Sequence, residues 1–209
     1  MDEAISISEA ALGFLNSGGK RLRPKLLRKV FAACGGVGDI SRLEEAVESF
    51  HKASLIHDDI QDEAMVRYGR PTFWRGYGIP IAIAAGDWLV AHGYALIAES
   101  GFPSVPTMLA AAARAHLAMS EGQADELMGR GDYISNSRRK TGEGFALAAV
   151  IGALAASADP TPFREWALDY GVLFQIRDDI VDGDGPTDLA ELEREWSVRI
   201  AKIEERLFS

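Results

Sequence analysis

Two runs of aspartate hold the chemistry that this sequence is equipped to do. His57-Asp58-Asp59-Ile60-Gln61-Asp62-Glu63 lies within Ser49 to Gly69, and Phe174 to Asp182 repeats the spacing as Asp178, Asp179 and Asp182. Residues three and four apart share a helix face. Asp58 therefore stacks on Asp62 with Asp59 beside it, and Asp178 stacks on Asp182. Three carboxylates held that close repel one another. A hard divalent cation removes the cost, and carboxylates suit Mg²⁺. One acidic cluster on a helix reads most simply as a solvated face. Two D-D-x-x-D clusters ~120 residues apart, both on otherwise apolar runs, do not. Mg²⁺ is usually held by a few carboxylates plus substrate phosphates, not by an all-protein cage. The ligand to expect is a diphosphate, with the two clusters facing each other across a cavity.

Basic residues gather where such a ligand would need them. Lys20, Arg21, Arg23 and Lys25 surround a Gly18-Gly19 turn, and Pro24 fits the first turn of a helix, where its missing N–H costs nothing. A helix N-terminus attracts anions through exposed N–H groups and the dipole. Alone, this group reads as a basic cap on a surface helix. His51 lies two turns before Asp58 on the same face, a place where a lone histidine is more often structural than a ligand. Arg67-Tyr68-Gly69-Arg70-Pro71-Thr72 breaks the helix and puts arginines just beyond the first carboxylates. Arginine bonds phosphate oxygens bidentately. Arg138-Arg139-Lys140-Thr141-Gly142 forms a charged turn that introduces the next helix, and gives Lys140 and Thr141 a second anion-binding setting.

The elements that must position these groups are helices. Helical runs are expected over Ala4 to Leu15, Pro24 to about Cys34, and from Ser41, where Ser41-Arg42-Leu43-Glu44 matches a capping box. Others follow over Ile79 to Ala98, Val105 to Leu127, Glu143 to Ala156, the run from Pro162 through Asp182, and Asp188 to Leu207. The last is amphipathic, with Leu189, Leu192, Trp196, Ile200, Ile203 and Leu207 along one side. No useful strand alternation or internal repeat is visible. The chain reads as an all-α protein of seven to nine helices, in one domain over 1–209.

Composition excludes several classes. The net charge of −9 argues against a nucleic-acid partner. The one cysteine, Cys34, forms no intrachain disulfide and suits a reducing compartment. The start, MDEAISISEA, lacks the basic region of a secretory signal. Ile79 to Ala98 is the best membrane-span candidate, but Asp87 and His92 interrupt it, so a buried helix is expected instead of an integral membrane segment.

With these residues in place, the sequence resembles the polyprenyl (trans-isoprenyl diphosphate) synthase family. The resemblance rests on GGKRLRP at Gly18 to Pro24, HKASLIHDDIQDE at His51 to Glu63, and GRPT at Gly69 to Thr72. It continues with AGDWL at Ala85 to Leu89, GQADEL at Gly122 to Leu127, KTG at Lys140 to Gly142, and FQIRDDIVD. These motifs stand in the family's order and cover about Ser17 to Asp182.

The resemblance implies the isoprenoid synthase fold, a bundle of antiparallel helices around a central cavity, in a cytoplasmic homodimer. It implies condensation of isopentenyl diphosphate with an allylic diphosphate (dimethylallyl, geranyl or farnesyl), using three Mg²⁺ ions per loaded site. By similarity, Asp58, Asp59, Asp62, Asp178, Asp179 and Asp182 ligate metal. Lys20, Arg21, Arg23 and His51 bind isopentenyl diphosphate, and Arg67, Lys140, Thr141 and Gln175 bind the allylic diphosphate. Asp58, Asp62, Arg67, Lys140 and Asp178 are the expected catalytic set. Ala53 and Ser54 are too small to close the cavity in front of Asp58, and Phe50, about a turn deeper, is the candidate floor. A C15–C20 or longer all-trans product is expected.

Two departures stand out. The family usually has two arginines after the first acidic motif, whereas here Tyr68 follows Arg67, with Arg70 nearby as a partial substitute. After Asp182, Gly183-Asp184-Gly185-Pro186 runs into an amphipathic helix, where the family has a lysine-bearing loop and further helices. These departures keep two alternatives open: a terpene cyclase-like ionisation enzyme, and a non-catalytic regulatory subunit of a synthase. GGKRLRP with His51 argues against the first, and two intact acidic motifs argue against the second.

Overall fold

Apolar residues at helical spacing, punctuated by glycine and proline, give a chain built almost wholly of helices. The computed structural model describes residues 5–208. Ala4, the expected first residue of the opening helix, lies outside the described residues, as do the two ends of the expected 1–209 domain. The helices are α1 (Ile7–Leu15), α2 (Leu22–Ala33), α3 (Ser41–Gln61), α4 (Phe73–Tyr77), α5 (Ile79–Ala98), α6 (Val105–Leu127), α7 (Tyr133–Ser137), α8 (Glu143–Ala155), α9 (Thr161–Asp182) and α10 (Leu189–Leu207). A π-helical segment, Arg138–Gly142, joins α7 to α8.

The count exceeds the expected seven to nine. α4 and α7 have five residues each, too few to show a period. A small antiparallel hairpin, β1 (Val66–Arg67) and β2 (Arg70–Pro71), also occupies what reads in sequence as a turn. Its two-residue loop, Tyr68-Gly69, has positive φ at both positions (51° and 74°). That matches the turn type preferred by tight hairpins, which normally places asparagine where Tyr68 stands.

The chain divides into two compact units, residues 1–24 with 41–100, and residues 25–40 with 101–209. In the first, α3 packs along α5, and α1 and α4 close over them. Its core includes Ala10, Leu15, Ala53, Ile56, Phe73, Ala85 and Leu89. Small residues let α3 and α5 approach closely: the Phe50 ring sits against Gly93, where any Cβ would collide with it, and Ser49 Oγ donates to the Leu89 carbonyl at 2.8 Å. Trp74 Nε1 and Thr72 Oγ1 both donate to the Ala64 carbonyl, at 2.9 and 2.8 Å, and so tie the loop after the first acidic motif to α4.

In the second unit, α9 packs against both α8 and α10, and α6 against α8. α8 is buried from Phe145 to Ala153, as its unbroken apolar run requires. α10 turns Leu189, Trp196 and Ile200 inward. Asp169 on α9, almost fully buried, accepts from Arg138 and, at 2.6 Å, from Arg199 Nε on α10. Two arginines compensate the buried carboxylate, which otherwise carries a heavy desolvation cost.

Among the described residues, one helix has the length and composition to cross a membrane, Ile79–Ala98, with a mean hydropathy of 1.5 over its best window. A third of that window is buried in the protein. Cys34 is a free thiol.

Candidate active site

Both acidic motifs end a helix. In the first unit α3 closes at Gln61, and the Asp62 N–H still bonds the Asp58 carbonyl at 2.8 Å. Glu63 then takes a left-handed conformation (φ 51°), and the Ala64 N–H reaches back to the Asp59 carbonyl at 2.9 Å. This is a Schellman-type stop made without glycine. In the second unit α9 closes at Asp182, and left-handed Gly183 returns its N–H to the Asp179 carbonyl at 2.9 Å. Helix C-termini carry partial negative charge. Each carboxylate cluster thus sits at a pole that strengthens its field, which is stable only if cations answer it.

In both clusters the middle aspartate is already engaged. Asp59 is 1% exposed, and its Oδ1 accepts from Arg67 Nε at 2.8 Å. Its other oxygen is buried without a hydrogen-bond partner. Burial raises the Asp59 pKa, and the Arg67 bond opposes that rise. Burial pulls the Arg67 guanidinium down, but the bond and charge of Asp59, with Tyr68 and Asp58, more than offset it. In the second unit, Tyr133 Oη donates to Asp179 Oδ2 at 2.5 Å and Gln175 Nε2 donates to Asp179 Oδ1 at 2.8 Å. Thr141 Oγ1 donates to Gln175 Oε1 at 2.7 Å. One hydrogen-bonded chain, Thr141–Gln175–Asp179–Tyr133, therefore joins the K-T-G segment to the second acidic motif. Burial and the Asp179 carboxylate push the Tyr133 phenol well above its ordinary value, so it stays protonated and donates.

The flanking aspartates are less buried than Asp59. Asp62, Asp178 and Asp182 are exposed and Asp58 is half-buried. Among the described residues, no three His, Cys, Asp or Glu side chains converge into a ready-made metal cage. Asp59 keeps one oxygen without a hydrogen-bond partner, whereas both oxygens of Asp179 accept from the protein. Carboxylate oxygens at helix ends suit a hard cation completed by phosphate oxygens.

The structure brings Arg23, His51, Arg67 and Asp58 together in the first unit. Desolvation holds the His51 imidazole well below its ordinary range, and the charges of Arg23, Lys52 and Arg67 push it further down. His51 is therefore neutral at physiological pH, a hydrogen-bonding group among cations. Burial brings the Arg23 guanidinium down to about 10, against the pull of Glu48 and Asp58. It remains charged. Lys20 stands exposed on the loop before α2, where Gly18 (φ 92°) and Gly19 (φ 120°) take conformations that side chains resist. Arg21 follows at φ 47°.

In the second unit, Arg138-Arg139-Lys140-Thr141-Gly142 is not the turn that its composition suggests. It is a π-helical segment inside a helical run from Tyr133 to Ala155. Single π turns cluster at functional sites because they re-aim side chains. Here Gly142 and Gly171 interlock, since a Cβ on Gly171 would lie 2.5 Å from the Gly142 Cα. That contact seats Thr141 beside Gln175. Lys140 Nζ pairs with Glu126 Oε2 at 2.5 Å, and Arg139 with Asp125 at 2.6 Å, both on α6. Any anion taken by Lys140 would compete with Glu126 for it.

Sequence reasoning missed Tyr133, Glu126 and Lys52. Tyr133 lies seven residues before Lys140, two helical turns, a signal hidden by reading the segment as a turn. Glu48 and Lys52 stand four apart on α3, a spacing that does announce a pair.

A family model described as polyprenyl synthetase matches residues 6–190. Geranylgeranyl diphosphate synthase of Cereibacter sphaeroides is 34% identical over 193 residues, which cover 86% of this chain and 66% of that protein. Among solved structures, geranyltranstransferase from Thermotoga maritima aligns with a TM-score of 0.82 at 26% identity, over 99% of this chain and 83% of its own. Polyprenyl synthase from Caulobacter crescentus, solved with calcium and isoprenyl diphosphate, aligns at 0.79 and 31% identity, over 90% and 60%. The chain spans from 57% to 69% of the length of the curated relatives that it matches.

Proposed function

The chain belongs to the polyprenyl synthetase family, and on that premise we propose that it is a trans-prenyltransferase joining isopentenyl diphosphate to an allylic diphosphate. One observation carries the reading. In each acidic motif the middle aspartate is anchored by protein donors, and the motif stands at a helix C-terminus. That is half of a diphosphate–cation site, and each unit has one.

In this reading Asp58 and Asp62, with Asp178 and Asp182, hold divalent metal, which we take to be Mg²⁺, three ions when substrate is bound. Asp59 and Asp179 orient their neighbours. Bound Mg²⁺ supplies neutralisation of the charge that develops on the departing diphosphate. Arg67 in the first unit and Lys140 in the second each carry fixed positive charge of the kind that stabilises a departing diphosphate, and Thr141 lies beside Gln175. Lys20, Arg21 and Arg23 hold the diphosphate of isopentenyl diphosphate, and neutral His51 gives it one N–H. The allylic C–O bond breaks, the alkene of isopentenyl diphosphate forms the new C–C bond to the resulting cation, and a proton leaves to the released diphosphate. Apolar helix walls keep water from the cation.

Phe50, buried against Tyr94 (ring centroids 5.2 Å apart) and Gly93, supports a product of C15–C20 or longer. Ile79, Ile81 and Ile83, each 45–47% exposed on α5, support a homodimer through that helix. The free thiol of Cys34 suits the cytoplasm.

The test is incubation with Mg²⁺, radiolabelled isopentenyl diphosphate and, separately, dimethylallyl, geranyl and farnesyl diphosphate. Prenyl alcohols that appear only after phosphatase treatment are expected, and Asp58→Ala with Asp62→Ala should abolish them. Hydrocarbon formed without consumption of isopentenyl diphosphate would instead identify an ionisation enzyme. No product of either kind would turn attention to a regulatory subunit or to residues after Asp182.

A further inference from the structure

The turn that carries the first basic group is held to α1 by one backbone bond, from the Ser17 N–H to the Phe14 carbonyl at 3.1 Å. Gly18, Gly19 and Arg21 all have positive φ, and residues 16–20 are exposed. Beyond Ser17 the segment takes its restraint from the side chain after His51. Lys52 is 6% exposed, and its Nζ donates to the Gly18 carbonyl at 2.8 Å and to Ser17 Oγ at 3.3 Å. The same ammonium lies 5.1 Å from the centroid of the Phe14 ring. Ser17 is itself tied back to α1, through its hydroxyl bond to the Phe14 carbonyl at 2.7 Å.

The buried charge has a counterion one turn earlier. Glu48 is 2% exposed, and its Oε2 has no hydrogen-bond partner. The pair is placed by α3, which also carries His51. One turn of a rigid helix thus delivers an imidazole to the cationic cluster and a clamp to the loop that supplies the rest of it.

We propose that Lys52 is a positioning residue for isopentenyl diphosphate, holding the Ser17-Gly18-Gly19 turn in the shape that presents Lys20, Arg21 and Arg23 to the diphosphate. The proposal rests on the reading of those cations as the isopentenyl diphosphate site. Lys52 acts through the loop, since its ammonium bonds Ser17 and Gly18. Its loss lowers affinity for isopentenyl diphosphate and leaves the allylic substrate untouched.

Isopentenyl diphosphate alone is not turned over, so its binding to the full chain is measurable by calorimetry without reaction. Lys52→Met keeps the buried stem and removes the donors. The expected result is binding at least tenfold weaker, faster hydrogen exchange at the amides of residues 17–21, and an allylic KM within twofold of the parent. A Lys20→Ala/Arg23→Ala variant is titrated alongside. Lys52→Met binding within twofold of the parent, while the double variant loses binding, overturns the role of Lys52. Full binding by the double variant refutes the isopentenyl diphosphate reading and the Lys52 proposal with it. If Lys52→Met does not fold, Lys52→Gln, which keeps an N–H donor one atom short, takes its place under the same outcomes.

Discussion

Removing Arg67 separates the structural from the catalytic claims on that residue. Asp59 is almost fully buried, one of its oxygens has no partner, and the other depends on Arg67 Nε at 2.8 Å. Arg67→Met keeps the packing of the stem and leaves the carboxylate unpaired. Breaking a buried pair from one side costs about 3–5 kcal/mol. The Arg67 side chain is 29% exposed, so water can reach the vacated side, and the lower end, about 3 kcal/mol, is expected here. Asp59→Asn removes the charge and keeps the shape, so Arg67→Met/Asp59→Asn should recover about 1.5–3 kcal/mol relative to the sum of the single changes. Urea unfolding followed by far-ultraviolet circular dichroism measures all four proteins, and enzyme activity does not enter. A loss below about 0.5 kcal/mol for Arg67→Met, the range of ordinary surface changes, would refute the claim that Arg67 anchors the motif. So would strict additivity in the double variant.

Other expectations follow from the same contacts. Tyr133→Phe removes one bond to a charged acceptor, worth about 1.5–3 kcal/mol. Because it loosens Asp179, it should raise the Mg²⁺ concentration for half-maximal activity severalfold, read in a metal titration. Phe50→Ala should lengthen the product by at least one C5 unit on chromatography, at a stability cost of about 3 kcal/mol for the emptied volume. The depressed pKa of His51 makes the folded chain refuse a proton that the unfolded chain accepts below its ordinary value of 6.5. Stability is therefore lost as pH falls from 7.5 to 5.5, by about 1 kcal/mol from this residue. His51→Gln should flatten the pH dependence of the urea midpoint by that amount, and an unchanged slope would show that His51 is not held neutral.

The long helices, the two acidic motifs and the basic groups were legible because they are written in local spacing. Period-3.6 patterning announces α3, α5, α6, α8, α9 and α10, and D-D-x-x-D announces one helix face. Elements of five residues or fewer, α4, α7 and the hairpin around Tyr68-Gly69, lack the length to show a period. The π-helical form of Arg138–Gly142 follows from the close approach of Gly142 and Gly171, a contact between residues far apart in the chain.

The sequence by itself determined which residue types suit a diphosphate and a divalent cation, since carboxylates, lysines and arginines keep their chemistry wherever they are placed. Only the tertiary structure decided how those residues divide their work. Asp58 and Asp59 are adjacent in the chain, yet one is half-buried beside cations and the other is buried on Arg67. Asp178 is exposed, whereas Asp179 is half-buried and accepts from Tyr133 and Gln175. Successive side chains on a helix point about 100° apart. The two members of each adjacent pair therefore meet different surroundings, and which is more deeply buried depends on the elements packed beside the helix.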